Sequence, residues 1–285
     1  MRREELLNLA AALARPYRIS PPRLPSGGQA GAFTGQRDGQ SVDFHDFREY
    51  QPGDDLRRVD WRAYARNGQM HLRLFRAEVS PVVELHLDTS ASMAAYPGKE
   101  QVLLFLAAFL RFATLAAEGR PVLCRDGLRF GGGDFEAGLM ATKFDGDPDA
   151  RSAAIVSSGL PLRFCLSDYL LADGLAPLIH RFASGSLHFC PVMLLSRSET
   201  APPWRGFHRL HDVEKPDDSL DLNIGNGMVE QYLLRLRRHE EVLANLARRH
   251  GASLLRIDTP DGEVERQDCE AVVRRLAGER LVTAR

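Results

Sequence analysis

Val82-Val83-Glu84-Leu85-His86-Leu87-Asp88-Thr89-Ser90-Ala91-Ser92-Met93 is a short, largely apolar run that ends on an acid and then carries hydroxyls at alternate positions. Its apolar part, Val82–Leu87, has the length of a strand and reads as one buried inside a sheet. Residues 99–118 follow as a long helix, apolar nearly all round, which suits an element sandwiched between a sheet and other structure.

The same alternation continues downstream. Residues 121–125 and 128–130 flank Asp126-Gly127, a strong two-residue hairpin signal. Leu162–Ser167 is another apolar run, and it too ends on an acid, Asp168. Residues 173–183 read as a helix, 187–195 as a strand, 228–250 as a long helix capped by Gly251, 254–257 as a last strand and 263–276 as a last helix. Residues 200–227 hold Pro202, Pro203, Gly206, Pro216, Gly225 and Gly227 and read mostly as loop, with short extended pieces near 207–210 and 220–224. Strands separated by helices need crossover connections. The expected fold is therefore α/β, a doubly wound, mostly parallel sheet with helices on both faces and one antiparallel edge strand.

With 285 residues, 44% hydrophobic and 26% charged, the chain suffices for one large domain or two small ones and is not disordered wholesale. A formal net charge of −1 argues against binding nucleic acid or acidic membrane through bulk charge. Cys124, Cys165, Cys190 and Cys269 lie far apart without a CxxC pair, and most sit in apolar, strand-like stretches; they read as reduced core cysteines of a cytoplasmic protein. The first residues read as an amphipathic helix and make a poor signal peptide. Residues 102–117 are interrupted by Arg111 and Thr114 and fall short of a membrane span.

Residues 1–79 are expected to form an irregular N-terminal segment that packs on a domain of residues 80–285. Residues 21–35 are rich in Pro and Gly. From Asp43 to Glu78 acids and arginines occur in equal number, and the arginines alternate with Phe44, Phe47, Tyr50, Trp61 and Phe75. Guanidinium groups packed between aromatic faces and carboxylates are expected there.

In an open α/β sheet, ligands collect beyond the carboxyl ends of strands where the strand order reverses. Asp88, Ser90 and Ser92 aim a carboxylate and two hydroxyls at such a crevice, and Asp168 brings a second carboxylate from another strand tip. Hard oxygen donors are the set preferred by Mg2+, Mn2+ or Ca2+. A lone DxSxS is also found as a turn whose side chains satisfy local backbone donors. The strand before it, the helix after it and the second strand-end acid favour metal binding.

DxSxS after a first strand, followed by a distant strand-end Asp, resembles the metal-ion-dependent adhesion site of von Willebrand factor A domains. The upstream run resembles the signature of the domain of unknown function 58 family, also described as MoxR-associated. Its matching residues are Gly31, Gly35, Asp43-Phe44, Phe47-Arg48-Glu49-Tyr50, Pro52-Gly53-Asp54-Asp55, Arg57, Val59-Asp60-Trp61, Ala65-Arg66, Phe75 and Glu78, then Asp88-x-Ser90-x-Ser92-Met93. Ser167-Asp168 and Tyr232 fit the family's second half. The resemblance implies a von Willebrand A-like fold that binds a divalent cation, Mg2+ or another such as Mn2+ or Ca2+, and through it a partner protein. Asp88, Ser90 and Ser92 would be direct ligands and Asp168 would lie in the first or second shell. The implied partners are a MoxR-type AAA+ ATPase and a client protein, in an adaptor or co-chaperone-like role without catalysis. Adhesion sites usually add a Thr from a further loop, and Thr142 is the only threonine between Gly119 and Leu166. The membrane helices that many family members carry before the signature are not found here.

Other chemistries have weaker signals. A metal-dependent hydrolase could use the same acidic site, or pair Asp54, Asp55 and Asp60, but Arg57, Arg58 and Arg62 beside the latter favour ordinary ion pairs. His208 and His211 with Asp212 lack a nearby cysteine to complete a zinc site, and on one strand the two histidines face opposite sides. Gly131-Gly132-Gly133 is not followed by Lys-Ser/Thr and reads as a turn, not a nucleotide loop. Arg235, Arg237, Arg238, Arg248 and Arg249 against Glu240 and Glu241 make a basic helix, more suited to a solvated or docking face than to a nucleic-acid groove.

Overall fold

In a computed structural model of the chain the elements run, in order, α1 (Arg3–Ala14), β1 (Tyr17–Ile19), β2 (Val42–Glu49), α2 (Trp61–Asn67), β3 (His71–Ala77), β4 (Val82–Leu87), α3 (Pro97–Leu115), β5 (Arg120–Arg125), β6 (Leu128–Gly131), α4 (Asp134–Met140) and β7 (Leu162–Ser167). They continue with α5 (Leu175–Ala183), β8 (His188–Ser196), α6 (Arg197–Thr200), β9 (Gly206–His211), β10 (Ser219–Ile224), α7 (Asn226–Arg249), β11 (Leu255–Thr259), α8 (Arg266–Gly278) and β12 (Val282–Ala284). The structure describes residues 1–20, 42–51, 59–77, 81–146, 161–171, 174–215 and 217–285, without the side chains of 42–48, 67 and 72–77. Two units form, Met1–Pro22 with Pro81–Arg285, and Arg23–Ser80.

The larger unit is built on a six-stranded sheet in the order β11-β8-β7-β4-β5-β6. Every pairing in it is parallel except β5 with β6. This is the mostly parallel α/β sheet with an antiparallel edge strand that the strand-helix alternation predicts. The edge strand follows from the turn: Asp126 and Gly127 both take positive φ, 50° and 73°, the geometry that reverses a strand in two residues. The order runs one way from β4 to β5 and the other way to β7, so the crevice beyond β4 and β7 is the switch point.

Both sheet faces are covered, which is why β7 is buried along its whole length. One face packs Leu85, Phe105, Phe109, Val192 and Leu276 together, using α1, α3 and α8. The other gathers Phe182, Phe189, Met193, Leu243 and Ala247, using α5 and α7. The four cysteines are free and buried, and burial pushes the thiols of Cys124, Cys190 and Cys269 up to about 12. Among the described residues no helix is long and apolar enough to cross a membrane.

The described residues 1–20 belong to the unit of this sheet. α1 lays Leu6, Ala10 and Ala14, one turn apart, into the core. Arg3 fastens it by donating to the carbonyls of Met140 and Thr142, each at 2.7 Å, and to Glu100. β1 pairs antiparallel with β12, so the two ends of the chain share a ribbon.

The first turn of α3 shows how tightly the carboxyl end of the sheet is packed. A Cβ on Gly98 would meet the Pro260 carbonyl oxygen and, at 2.6 Å, the Gly262 carbonyl oxygen, both backbone atoms. Gly98→Ala is expected to cost about 1–3 kcal/mol, as overpacking of a tight contact does. A thermal melt checks it; an unchanged midpoint would mean the loop after β11 gives way freely.

The smaller unit is not irregular where it is described. β2 and β3 pair antiparallel over Val42↔Ala77 to Glu49↔His71, with a register shift between Phe44 and Asp46. Asp60 accepts hydrogen bonds from the backbone N–H groups of Arg62 and Ala63 and so caps α2, and Gly68 ends it at φ 70°. The dense charge of this stretch masks a two-residue alternation that strands share with solvated surfaces. Gly31, Gly35, Pro52, Gly53, Asp54, Asp55, Arg57 and Glu78 of the signature lie outside the described residues. So does most of the expected arginine–aromatic network; of its aromatics, Trp61 stands edge-on to Tyr64 at 6.1 Å.

Two further elements differ from the sequence reading. α4 forms over Asp134–Met140, directly after the triple glycine. β9 and β10, expected only as short extended pieces, pair over six residues each.

Candidate functional site

Asp88 leaves the tip of β4 and Ser167 and Asp168 leave the tip of β7, its parallel neighbour. Adjacent parallel strands that end together bring these side chains to one place. The Asp88 Oδ1 atom accepts from Ser90 N at 3.0 Å and from Ser90 Oγ at 2.7 Å, while Oδ2 accepts from Ser167 Oγ. Ser90 Oγ lies 3.1 Å from Ser92 Oγ. Asp168 is held beside this set by Lys99 and Leu170: its Oδ2 accepts from Lys99 Nζ at 3.0 Å and its Oδ1 from Leu170 N at 3.1 Å. Asp88, Ser90 and Ser92 are thus linked in one chain of contacts, and Asp168 stands at the neighbouring strand tip in an ion pair with Lys99. Asp88, Ser90 and Asp168 are buried, and Ser92 is half-buried.

The backbone is arranged to hold this geometry. Ser90 bridges to Gly146, whose N–H donates to Thr89 O at 3.0 Å, so a second loop supports the first. Thr89 donates its hydroxyl to Asp126 Oδ1 of the β5–β6 turn, a tie that ordinary packing does not supply. Met93, by contrast, is plain core. Directly after Asp168, Tyr169 takes a positive φ of 55°, costly for a residue with a Cβ. Its ring is fully buried, its hydroxyl donates to Cys165 O and its N–H donates to Ser167 Oγ. Thr142 is buried, and its hydroxyl donates to Gly138 O within its own helix end, not into the Asp88 loop.

Three charged residues at this site were not anticipated from the sequence. Lys99 is completely buried in the first turn of α3 and places Nζ 3.0 Å from Asp168 Oδ2 and 2.8 Å from Glu199 Oε1. Glu199 uses its other oxygen to accept from Ser196 N at 2.6 Å, while Ser196 Oγ accepts from Glu199 N, a capping box at the tip of β8. Burial alone would push the Asp168 carboxyl up, but the Lys99 charge and hydrogen bond, with Leu170 N–H and Ser92, hold it below the usual value. Burial likewise opposes the Lys99 charge, and Asp168 and Glu199 more than offset it, raising that pKa. Glu214, from the β9–β10 turn, accepts from Ser92 N at 3.0 Å and Ala91 N at 3.2 Å.

Two of these carried a sequence signal. A lysine in the first turn of a helix opposes the helix dipole, which flags Lys99 as needing carboxylate partners. Ser196-x-x-Glu199 has capping-box spacing. Nothing local marks Glu214.

The other sequence candidates resolve differently. Among the described residues no three or more His, Cys, Asp or Glu side chains gather as a metal-binding group. His208 and His211 lie on β9, three positions apart and hence on opposite faces. Asp60 is the α2 cap described above.

A family model described as "Protein of unknown function DUF58" matches residues 46–127. It agrees with the resemblance carried by the signature residues; Asp88, Ser90, Ser92 and Lys99 fall inside the match, whereas Asp168, Glu199 and Glu214 fall beyond it. No curated protein matches the chain. Among solved structures, the conserved hypothetical protein BatB from Bacteroides thetaiotaomicron is similar at a TM-score of 0.35 and 11% identity, over 70% of this chain and 98% of that one.

Proposed function

We propose that this chain is a non-catalytic protein-interaction module with a von Willebrand A-like fold, working in the cytoplasm. Its strand-tip site holds a divalent cation, Mg2+ in the first instance, and the cation receives a carboxylate from a partner. The observation that carries this reading is the spacing of Asp88 Oδ1, Ser90 Oγ and Ser92 Oγ, 2.7 and 3.1 Å between successive oxygens. Neighbouring ligands of an octahedral Mg2+ with short metal–oxygen bonds lie about 3 Å apart. Carboxylate and hydroxyl oxygens are also the donor chemistry that Mg2+ favours.

Asp88, Ser90 and Ser92 would hold the ion. Asp168, committed to Lys99, would act from the second shell. A bound cation would supply positive charge for an incoming anion. The chain's own part is to fix the three oxygens: Ser167 orients Asp88, and Lys99 neutralises Asp168 so that it does not compete for the ion. The resemblance of the signature run to MoxR-associated proteins supports a MoxR-type AAA+ ATPase as partner, with a client protein acted on jointly.

Titration with Mn2+ followed by electron paramagnetic resonance tests the site. Asp88→Ala is expected to weaken binding by about tenfold or more while the circular dichroism spectrum stays unchanged, in line with loss of a charged ligand. Pull-down of the MoxR-type ATPase should be lost with EDTA and with Asp88→Ala. Equal binding in every condition would refute the cation-bridged mode.

Lys99 favours a second reading, in which its ammonium is itself the cation of the site and partners bind without metal. EDTA-insensitive binding that still requires Asp168 would select it.

A further inference from the structure

We infer that Glu214 is an internal carboxylate seated on the strand-tip site, so that a partner's acidic side chain must displace the β9–β10 turn to reach the cation. This rests on the cation reading above and adds a gate to it.

Both oxygens of Glu214 are committed to the DxSxS loop, one to Ser92 N and the other to Ala91 N, across more than a hundred residues of sequence. Ser92 is the same residue whose hydroxyl belongs to the oxygen set. The turn is shaped to present this side chain. Asp212 Oδ1 accepts from Glu214 N at 2.8 Å and from Lys215 N at 3.3 Å, and Asp212 N donates to Asp218 O at 3.0 Å. The arm behind the turn is a two-stranded ribbon, paired from Gly206↔Ile224 to Ser219↔His211 and tied by the Arg209–Asp221 ion pair at 2.6 Å. Val213 and Lys215 on either side are exposed, whereas Glu214 is half-buried against the loop whose two amides it accepts from.

Charge explains why such a gate is needed and how it opens. Among the described residues, the carboxylates of Asp168, Glu199 and Glu214 gather here with the single ammonium of Lys99, an excess of negative charge that repels a further carboxylate. A divalent cation reverses the local sign and attracts anions, and Glu214, already tethered, has the advantage of effective concentration over any outside carboxylate. The incoming group therefore competes with an intramolecular one. If it wins, it inherits the two amide donors of Ala91 and Ser92 that Glu214 releases.

The test uses the full chain with Mn2+ as the cation and glutarate as the carboxylate probe. Water-proton relaxation reports the waters on bound Mn2+, and hydrogen exchange reports the amides of Ala91 and Ser92. Glu214→Ala is expected to bind Mn2+, to take up glutarate about tenfold more tightly than wild type with a fall in relaxation, and to exchange those two amides about tenfold faster. Identical glutarate responses in wild type and Glu214→Ala, with Asp88→Ala alone losing Mn2+, would overturn the gate and leave the cation reading standing. Mn2+ binding equally to wild type and Asp88→Ala would overturn both.

Discussion

Lys99→Met is expected to lower the unfolding free energy by about 3–5 kcal/mol, since removing one member of a buried ion pair strands the other. The Lys99 ammonium is the cation that meets Asp168, a fully buried carboxylate, and it also meets Glu199. Methionine keeps most of the volume and apolar length, so the loss reports charge and hydrogen bonding more than packing. In a unit of this size the melting midpoint should fall by about 6–20 °C. Adding Asp168→Asn to Lys99→Met removes the stranded charge and should recover a large part of the loss. Strictly additive effects of the two changes would show that the pair is not coupled. On the cation reading, Mg2+ should stabilise Lys99→Met more than wild type, because the freed carboxylate of Asp168 becomes available to the ion.

The second large effect lies on the other face of the sheet. Arg163 is fully buried in β7 opposite Glu84 of β4, to whose Oε2 it donates at 2.9 Å. It also donates to the carbonyls of Phe182 at 2.6 Å and Ser184 at 3.0 Å, where α5 ends. Arg129 from the edge strand reaches the other Glu84 oxygen at 2.7 Å. Arg163→Met is expected to cost about 3–5 kcal/mol, leaving a buried carboxylate short of a partner and two carbonyls without this donor. Urea denaturation measures it, and a loss below about 1 kcal/mol would mean that Arg129 and water replace the contact.

The same cluster predicts an acid limb. Burial would push the Glu84 carboxyl up, but hydrogen bonds from His86, Arg129 and Arg163 hold it far below its ordinary value of 4.5. Burial lowers the His86 pKa, and the hydrogen bond and charge of Glu84 offset this only in part. A depressed acid contributes stability above its ordinary value and loses it as pH falls through the folded-state value. The stability advantage of wild type over Glu84→Gln should therefore shrink as pH drops from about 5 toward 2. A constant gap across that range would contradict the assignment.

The strands and helices of the larger unit were legible because their signals are local. The apolar runs of β4, β7 and β8, the Asp126-Gly127 turn and the face of α7 each declare themselves within a few residues. The antiparallel β2–β3 pair was not, because alternating charge on a strand looks like any solvated surface when its partner is unknown. α4 was hidden by the glycines that precede it, which end one element as readily as they start another.

By itself the sequence determined the mostly parallel sheet and the positions of Asp88, Ser90, Ser92 and Asp168 at strand tips, because hydrophobic periodicity and punctuation are written in neighbouring residues. Only the tertiary structure decided that Lys99 sits between Asp168 and Glu199, 69 and 100 residues away, and that Glu214 closes on Ser92 across 122 residues. Such meetings depend on the order in which strands line up in the sheet. That order is set by the packing of whole elements, and no short window of sequence contains it.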